Sequence, residues 1–166
     1  MQKLTPEVEK LIKHYQLEVH PEGGFFRQTY QASESCKNAE GQTRSCSTSI
    51  YFLLPEGHKS HFHRLKSDEV WHFHQGSSLT VVEITKQGQL IQTTLGQDYS
   101  KGEKLQHVVP AGRWFGSYSN GKYSLVGCTV SPGFDYADFE LTKRTDLVHQ
   151  FPNLTSEIHR LTPDLK

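Results

Sequence analysis

The periodicity of apolar positions changes once along this chain, near residue 24. Before that point Leu4, Val8, Leu11, Ile12 and Tyr15 recur at the spacing of a single helical face. Thr5 and Pro6 suit the N-cap and the first helical position, so the pattern predicts an amphipathic helix over residues 6–16. From Gly24 onward the pattern becomes short extended segments broken by Gly, Pro, Asn and Ser: FFRQTYQ, TSIYFLL, SHFHRL, EVWHFHQ, SLTVVEIT, QLIQTTLG, LQHVVP, RWFGSYS and YSLVGCTVS. Strand after strand without an intervening helix predicts an antiparallel sandwich or barrel. Lys86-Gln87-Gly88 and Asn120-Gly121 read as hairpin turns between successive strands. Helical periodicity returns over residues 143–149 and 155–161, giving a short helical C-terminal tail. The expectation is one all-β domain over residues 1–166, with a barrel at about 24–141 and a tail at about 143–161.

Composition narrows the function. A chain of 166 residues buries about 70% of its unfolded surface and can enclose a substantial core. Eighteen basic residues balance eighteen acidic ones and are scattered, so neither a nucleic-acid footprint nor a membrane-binding surface is expected, and a small-molecule ligand is. The N-terminus lacks the apolar region of a signal peptide, and no apolar run approaches the length of a membrane span, which predicts a soluble, cytoplasmic protein. Cys36, Cys46 and Cys128 form no C-x-x-C pair and read as reduced thiols, small buried hydrophobes in a reducing compartment. The Asn153-Leu154-Thr155 sequon carries no weight there.

The densest chemistry lies between Gly57 and Gly76, GHKSHFHRLKSDEVWHFHQG, where histidines and Glu69 interleave with Phe and Trp. On a regular strand His61 and His63 share a face, as do Glu69, Trp71 and Phe73, while His72 and His74 take the opposite side. If Glu69 points inward, Trp71 and Phe73 line the same cavity, an aromatic pocket with a polar end. Gly23-Gly24 is not followed by a helix and reads as a tight turn into the first strand rather than a phosphate cradle.

Gly57, His63, Glu69 and Gly76 reproduce the spacing of the first cupin motif, G-x5-H-x-H-x3/4-E-x6-G, with Leu65 at the second histidine. Pro110-Ala111-Gly112 matches part of the second motif, whose histidine position holds Phe115. EGGFFR, SIYFLL, SHFHRL, DEVWHFHQG, VPAGRWFGS and LVGCTVSPGFDYADFEL extend the likeness over about residues 18–141, and the chain resembles a cupin branch known chiefly as a domain of unknown function. The resemblance implies a double-stranded β-helix, or jelly-roll barrel, with an internal ligand cavity and a homodimer. Pairing of exposed strand edges across a two-fold axis gives an independent reason to expect the dimer.

Three readings of the centre stay open. His61, His63 and Glu69 are candidate ligands for a divalent metal. Alternatively His63 and Glu69 form a metal-free acid/base dyad, resembling the deoxysugar epimerases among cupins, with Tyr51 as a further catalytic acid. The third reading is a non-catalytic ligand-binding or storage-like cupin, its polar residues simply hydrogen-bonded. Arg27 and Arg44 are candidates to hold an anionic group on a carboxylated or sugar-like ligand. Trp114 and Phe115 are expected to wall the cavity. No same-face partner is assigned to His107, His14, His20, His149 or His159.

Overall fold

The computed structural model describes residues 4–163. Helix α1 (Pro6–Tyr15) begins where expected: the Thr5 side chain accepts from the Val8 N–H at 3.3 Å, and Gln16 closes the helix with φ 53°. Then come β1 (Glu18–Val19), β2 (Phe25–Gln31), the hairpin β3 (Ser35–Lys37) and β4 (Thr43–Ser45), β5 (Thr48–Pro55) and β6 (Lys59–Leu65). They are followed by β7 (Asp68–Gly76), β8 (Leu79–Ile84), β9 (Leu90–Leu95), β10 (Gln106–Val109), β11 (Trp114–Ser119) and β12 (Tyr123–Ser131). A 3-10 turn at Tyr136–Asp138, β13 (Phe139–Leu141), α2 (Arg144–Gln150) and α3 (Thr155–Arg160) complete the described chain. The short β1, β3, β4 and β13 escaped the sequence pattern, because two or three residues carry no readable period.

The strands form a six-stranded sheet, ordered β1-β2-β5-β12-β7-β10, packed on a five-stranded sheet, ordered β13-β6-β11-β8-β9. The strands pair antiparallel, and from β5 to β13 the chain crosses between the sheets at every step but β8–β9, which is the jelly-roll arrangement. Thr85–Gln89 closes a β8–β9 hairpin, as expected. Asn120-Gly121 does not make one: β11 belongs to the five-stranded sheet and β12 to the six-stranded sheet, so this turn carries the chain across the sandwich.

Three apolar cores order the side chains into layers. Phe52, Leu54, Trp71, Val81, Phe115 and Val126 fill the space between the sheets. On the outer face of the five-stranded sheet, Phe62, Val82, Ile84 and Trp114 are covered by Leu147, Ile158 and Leu161 of the helical tail. On the outer face of the six-stranded sheet, Val8 and Leu17 cover Leu53 and Leu125, with Tyr15 and Tyr51 at the margin. Strand β8 is buried along its whole length because both faces are covered, which is why it carries apolar residues on both. Its one charged residue, Glu83, joins the two sheets. His107 of β10 meets it at 2.5 Å and Arg113 at 3.0 Å, giving His107 a partner the sequence did not.

The cysteines are unpaired, but only Cys128 is buried; Cys36 and Cys46 are half-buried on the β3–β4 hairpin and are not core residues. No helix among the described residues is long and apolar enough to cross a membrane.

Candidate functional site

Between the sheets lies a cavity of about 460 Å³. Its floor is polar and built from two places far apart in sequence, the 20–24 turn and strands β6 and β7. The turn is closed by the Gly23 N–H to the His20 carbonyl and the His20 N–H to the Gly24 carbonyl, both at 3.0 Å. Gly23 has φ +106°, and a Cβ there would lie 2.1 Å from the Lys59 carbonyl oxygen. Only glycine lets this turn press against β6, and the result is that Glu22 is thrust into the barrel.

Glu22 is buried and fully engaged. Its Oε2 lies 3.0 Å from His63 Nε2 and 3.6 Å from His20 Nδ1, while Ser60 Oγ donates to its Oε1 at 2.9 Å. The other nitrogen of His63, Nδ1, donates to the His61 carbonyl at 2.7 Å. Both ring nitrogens of His63 therefore act as donors, so the proton of the pair is held between imidazole and carboxylate. Burial opposes charge on each partner. For His63 the charge and hydrogen bond of Glu22 outweigh it and raise the pKa; for Glu22 the charge and hydrogen bond of His63 outweigh it and lower the pKa. His20 accepts from the Glu22 N–H at 3.2 Å through Nδ1, which fixes its neutral tautomer. Burial lowers its pKa, against the attraction of Glu22.

Glu69 is different. It is also buried, but Oε2 accepts a single hydrogen bond, from Trp71 Nε1 at 3.0 Å, and the other oxygen has no protein partner among the described residues. Burial pushes its pKa up to about 7, with His63 pulling down and Glu22 pushing up. A carboxyl group poised near neutrality on the wall of a cavity is suited to proton transfer.

The expected site residues divide into two sets. His63 and Glu69 share the cavity, but the carboxylate that holds His63 is Glu22, a residue that sequence reasoning passed over although it begins the EGGFFR segment. Trp71 anchors Glu69, and Phe115 backs the His63 ring at 4.1 Å between centroids, but both stand behind the cavity wall rather than lining it as expected. Phe73 packs at the edge of the inner core without lining the cavity.

His61 does not share the face of His63. Phe115 pairs with His63 and Ser117 with Ser60, so two residues of β6 oppose one of β11, and this bulge breaks the alternation. It brings Ser60 and His63 to the same carboxylate, while His61 takes part through its backbone, its N–H donating to the Glu22 carbonyl at 2.8 Å.

Tyr51 and Arg27 are register partners facing outward, where Tyr51 meets Tyr15 of α1 at 5.2 Å and Arg27 donates to Gln16. Their neighbours Phe26 and Phe52 take the inward positions and line the cavity. Arg44 is held by Asp138 in two hydrogen bonds of 2.7 and 2.8 Å and stays outside the cavity. Trp114 lies on the outer face under the tail, with Arg64 stacked on it at 4.5 Å.

A metal at this centre would need the donors of the cupin motifs. Leu65 and Phe115 replace two of them, His61 is displaced by the bulge, and Glu22 and His63 satisfy one another. Among the described residues no group of three or more His, Cys, Asp or Glu is arranged to hold an ion, so the donor set does not fit a metal centre.

A jelly-roll barrel with a buried His/Glu floor defines a cupin. Residues 9–142 match the family model described as Cupin superfamily (DUF985), and the chain belongs to that family. The uncharacterized protein YML079W of Saccharomyces cerevisiae is 32% identical over 155 residues, covering 84% of this chain and 77% of that protein. Two solved structures are also similar. Protein SO0799 from Shewanella oneidensis is 42% identical with TM-score 0.88, covering 98% of this chain and 99% of its own. A hypothetical protein from Leishmania major is 36% identical with TM-score 0.90, covering 94% and 98%. An oxalate decarboxylase mutant from Bacillus subtilis, 16% identical with TM-score 0.58 over 89% of this chain and 38% of its own, shares the fold alone.

Proposed function

We propose that the cavity binds a small polar, sugar-type molecule and moves a proton on it, as an isomerase or epimerase does. The observation that carries this reading is Glu69: buried, held by one hydrogen bond, and with its free oxygen on the wall of the cavity. In such a reaction a C–H bond beside a carbonyl breaks, the proton passes to the Glu69 carboxylate, and the electron pair moves to the carbonyl oxygen. The hydroxyl proton on the carbon that lost its hydrogen passes to that oxygen, and Glu69, its proton open to exchange with solvent, delivers a proton to the former carbonyl carbon, completing a 1,2-shift with one base. His63 is committed at both nitrogens, so its part is to hold positive charge near the developing oxyanion, with Glu22 fixing the ring. Gln28, Gln31 and Thr48 on the walls offer hydrogen bonds to hydroxyl groups.

The test is solvent exchange. Small aldoses, ketoses and their amino derivatives are incubated with the protein in D₂O and carbon-bound deuterium is read by NMR. Exchange that vanishes in Glu69→Gln is expected. Binding without exchange at any carbon would leave a sequestering cupin instead. A homodimer is part of the proposal: β10 is an edge strand that exposes Val108, with exposed Leu105 just before it, and a monomer mass by light scattering would remove it.

A further inference from the structure

The mouth of the cavity has its own chemistry. Phe134, Tyr136 and Phe139 stand edge to face, their centroids 5.0, 5.9 and 6.1 Å apart, and Phe139 reaches inward to within 5.4 Å of the His63 ring. Asp135 lies in the same segment, its Oδ1 accepting from the Ala137 N–H at 2.8 Å, and Glu18 lines the same cavity. Among the described residues no lysine or arginine lines the cavity. The positive charge of His63 is matched by Glu22 and His20 is neutral, so Glu18 and the ionised fraction of Glu69 face no cation on the lining, and Asp135 has only a share of Arg44, which Asp138 holds outside the cavity. An anionic ligand would enter against all of these without a cation to receive it. Aromatic faces attract a cation through their ring quadrupole, and a neighbouring carboxylate adds to that attraction.

We propose that the molecule this cavity takes carries an ammonium group, seated among Phe134, Tyr136 and Phe139 beside Asp135, with its polar remainder reaching toward Glu69. The inference names the ligand class of the site described above and rests on that reading. The free oxygen of Glu69 is the second, independent sign of a ligand: a polar atom of a buried side chain that no described residue occupies. Glu69 and the aromatic cluster line the same cavity, which suits a molecule with a cationic end and a reacting end.

The probes are choline and its uncharged isostere 3,3-dimethylbutan-1-ol, titrated calorimetrically at pH 8. Choline is expected to bind roughly three- to thirty-fold more tightly, the range a cation over aromatic faces supplies. Asp135→Asn keeps the oxygen that caps Ala137 while removing the charge, and Tyr136→Leu alters a ring that is 57% exposed, so neither endangers the fold. Each should shrink the ratio at least about twofold. Equal affinities, no binding of either probe, or a ratio unchanged in both variants would overturn the inference. Deuterium exchange into glucosamine and glucose is measured alongside. A preference for choline with no exchange in either sugar keeps this inference and removes the proton-transfer reading; exchange into glucose without that preference does the reverse.

Discussion

Glu69→Gln should make the protein more stable above neutral pH, although it alters the residue proposed to carry the chemistry. Burial raises the Glu69 carboxyl from an ordinary 4.5 to about 7. The sign follows from proton binding: between those values the folded chain keeps a proton that the unfolded chain has released, so stability falls as pH rises. The contribution is intact below about pH 4.5, is lost progressively as pH climbs to about 7, and is absent above that. Over that interval the loss is about 3 kcal/mol. Glutamine never ionises, and its side-chain oxygen can still accept from Trp71 Nε1. Urea unfolding of both proteins from pH 4.5 to 8.5 gives a difference curve in which the Glu22–His63 pair, common to both, largely cancels. The variant should gain on the wild type by up to about 3 kcal/mol at pH 8, roughly 6–12 °C in melting temperature for a domain of this size. A difference curve flat across that range would refute the reasoning, because it would mean that Glu69 titrates alike in the folded and unfolded chains.

Glu22→Gln should destabilise by about 3–5 kcal/mol, since it leaves the buried His63 without its counter-charge. The same variant should lower the His63 pKa, which NMR titration of the ring protons would follow; an unmoved pKa would show that Glu22 does not hold the proton. Gly23→Ala should cost more than about 3 kcal/mol by denaturant unfolding, because its Cβ meets the Lys59 carbonyl at 2.1 Å in a backbone conformation alanine avoids. Tyr51→Phe should leave ligand binding and exchange unchanged, as this ring lies under α1; a loss of either would place it in the site. Glu83→Ala should cost about 3–5 kcal/mol, since His107 and Arg113 would lose the carboxylate between them, and wild-type stability in urea would refute it.

Where the sequence was readable, one period ran long enough to be counted. FFRQTYQ and YSLVGCTVS coincide with β2 and β12 to the residue, and α1 begins at its Thr5-Pro6 signal. His63 and Glu69 stood out because the cupin spacing isolates them, and both line the cavity. Reading failed where alternation failed. The bulge in β6 separates His61 from His63, and no pattern of apolar residues announces a single inserted position. For Arg27 and Tyr51 parity left two faces open, and only the placement of α1 on the outer side of the six-stranded sheet decided between them.

The sequence by itself determined the class of fold, the longer strands and the family, because these follow from local periodicity and motif spacing. The tertiary structure decided the chemistry of the site. Glu22 and His63 are forty-one positions apart, with no shared period to connect them; they meet at 3.0 Å because two glycines allow the 20–24 turn to press against β6. The same packing left Glu69 with one hydrogen bond and kept every described lysine and arginine off the cavity wall. The physical reason is that a side chain's charge state and direction depend on what the folded chain sets around it, and periodicity records only which face of its own strand it occupies.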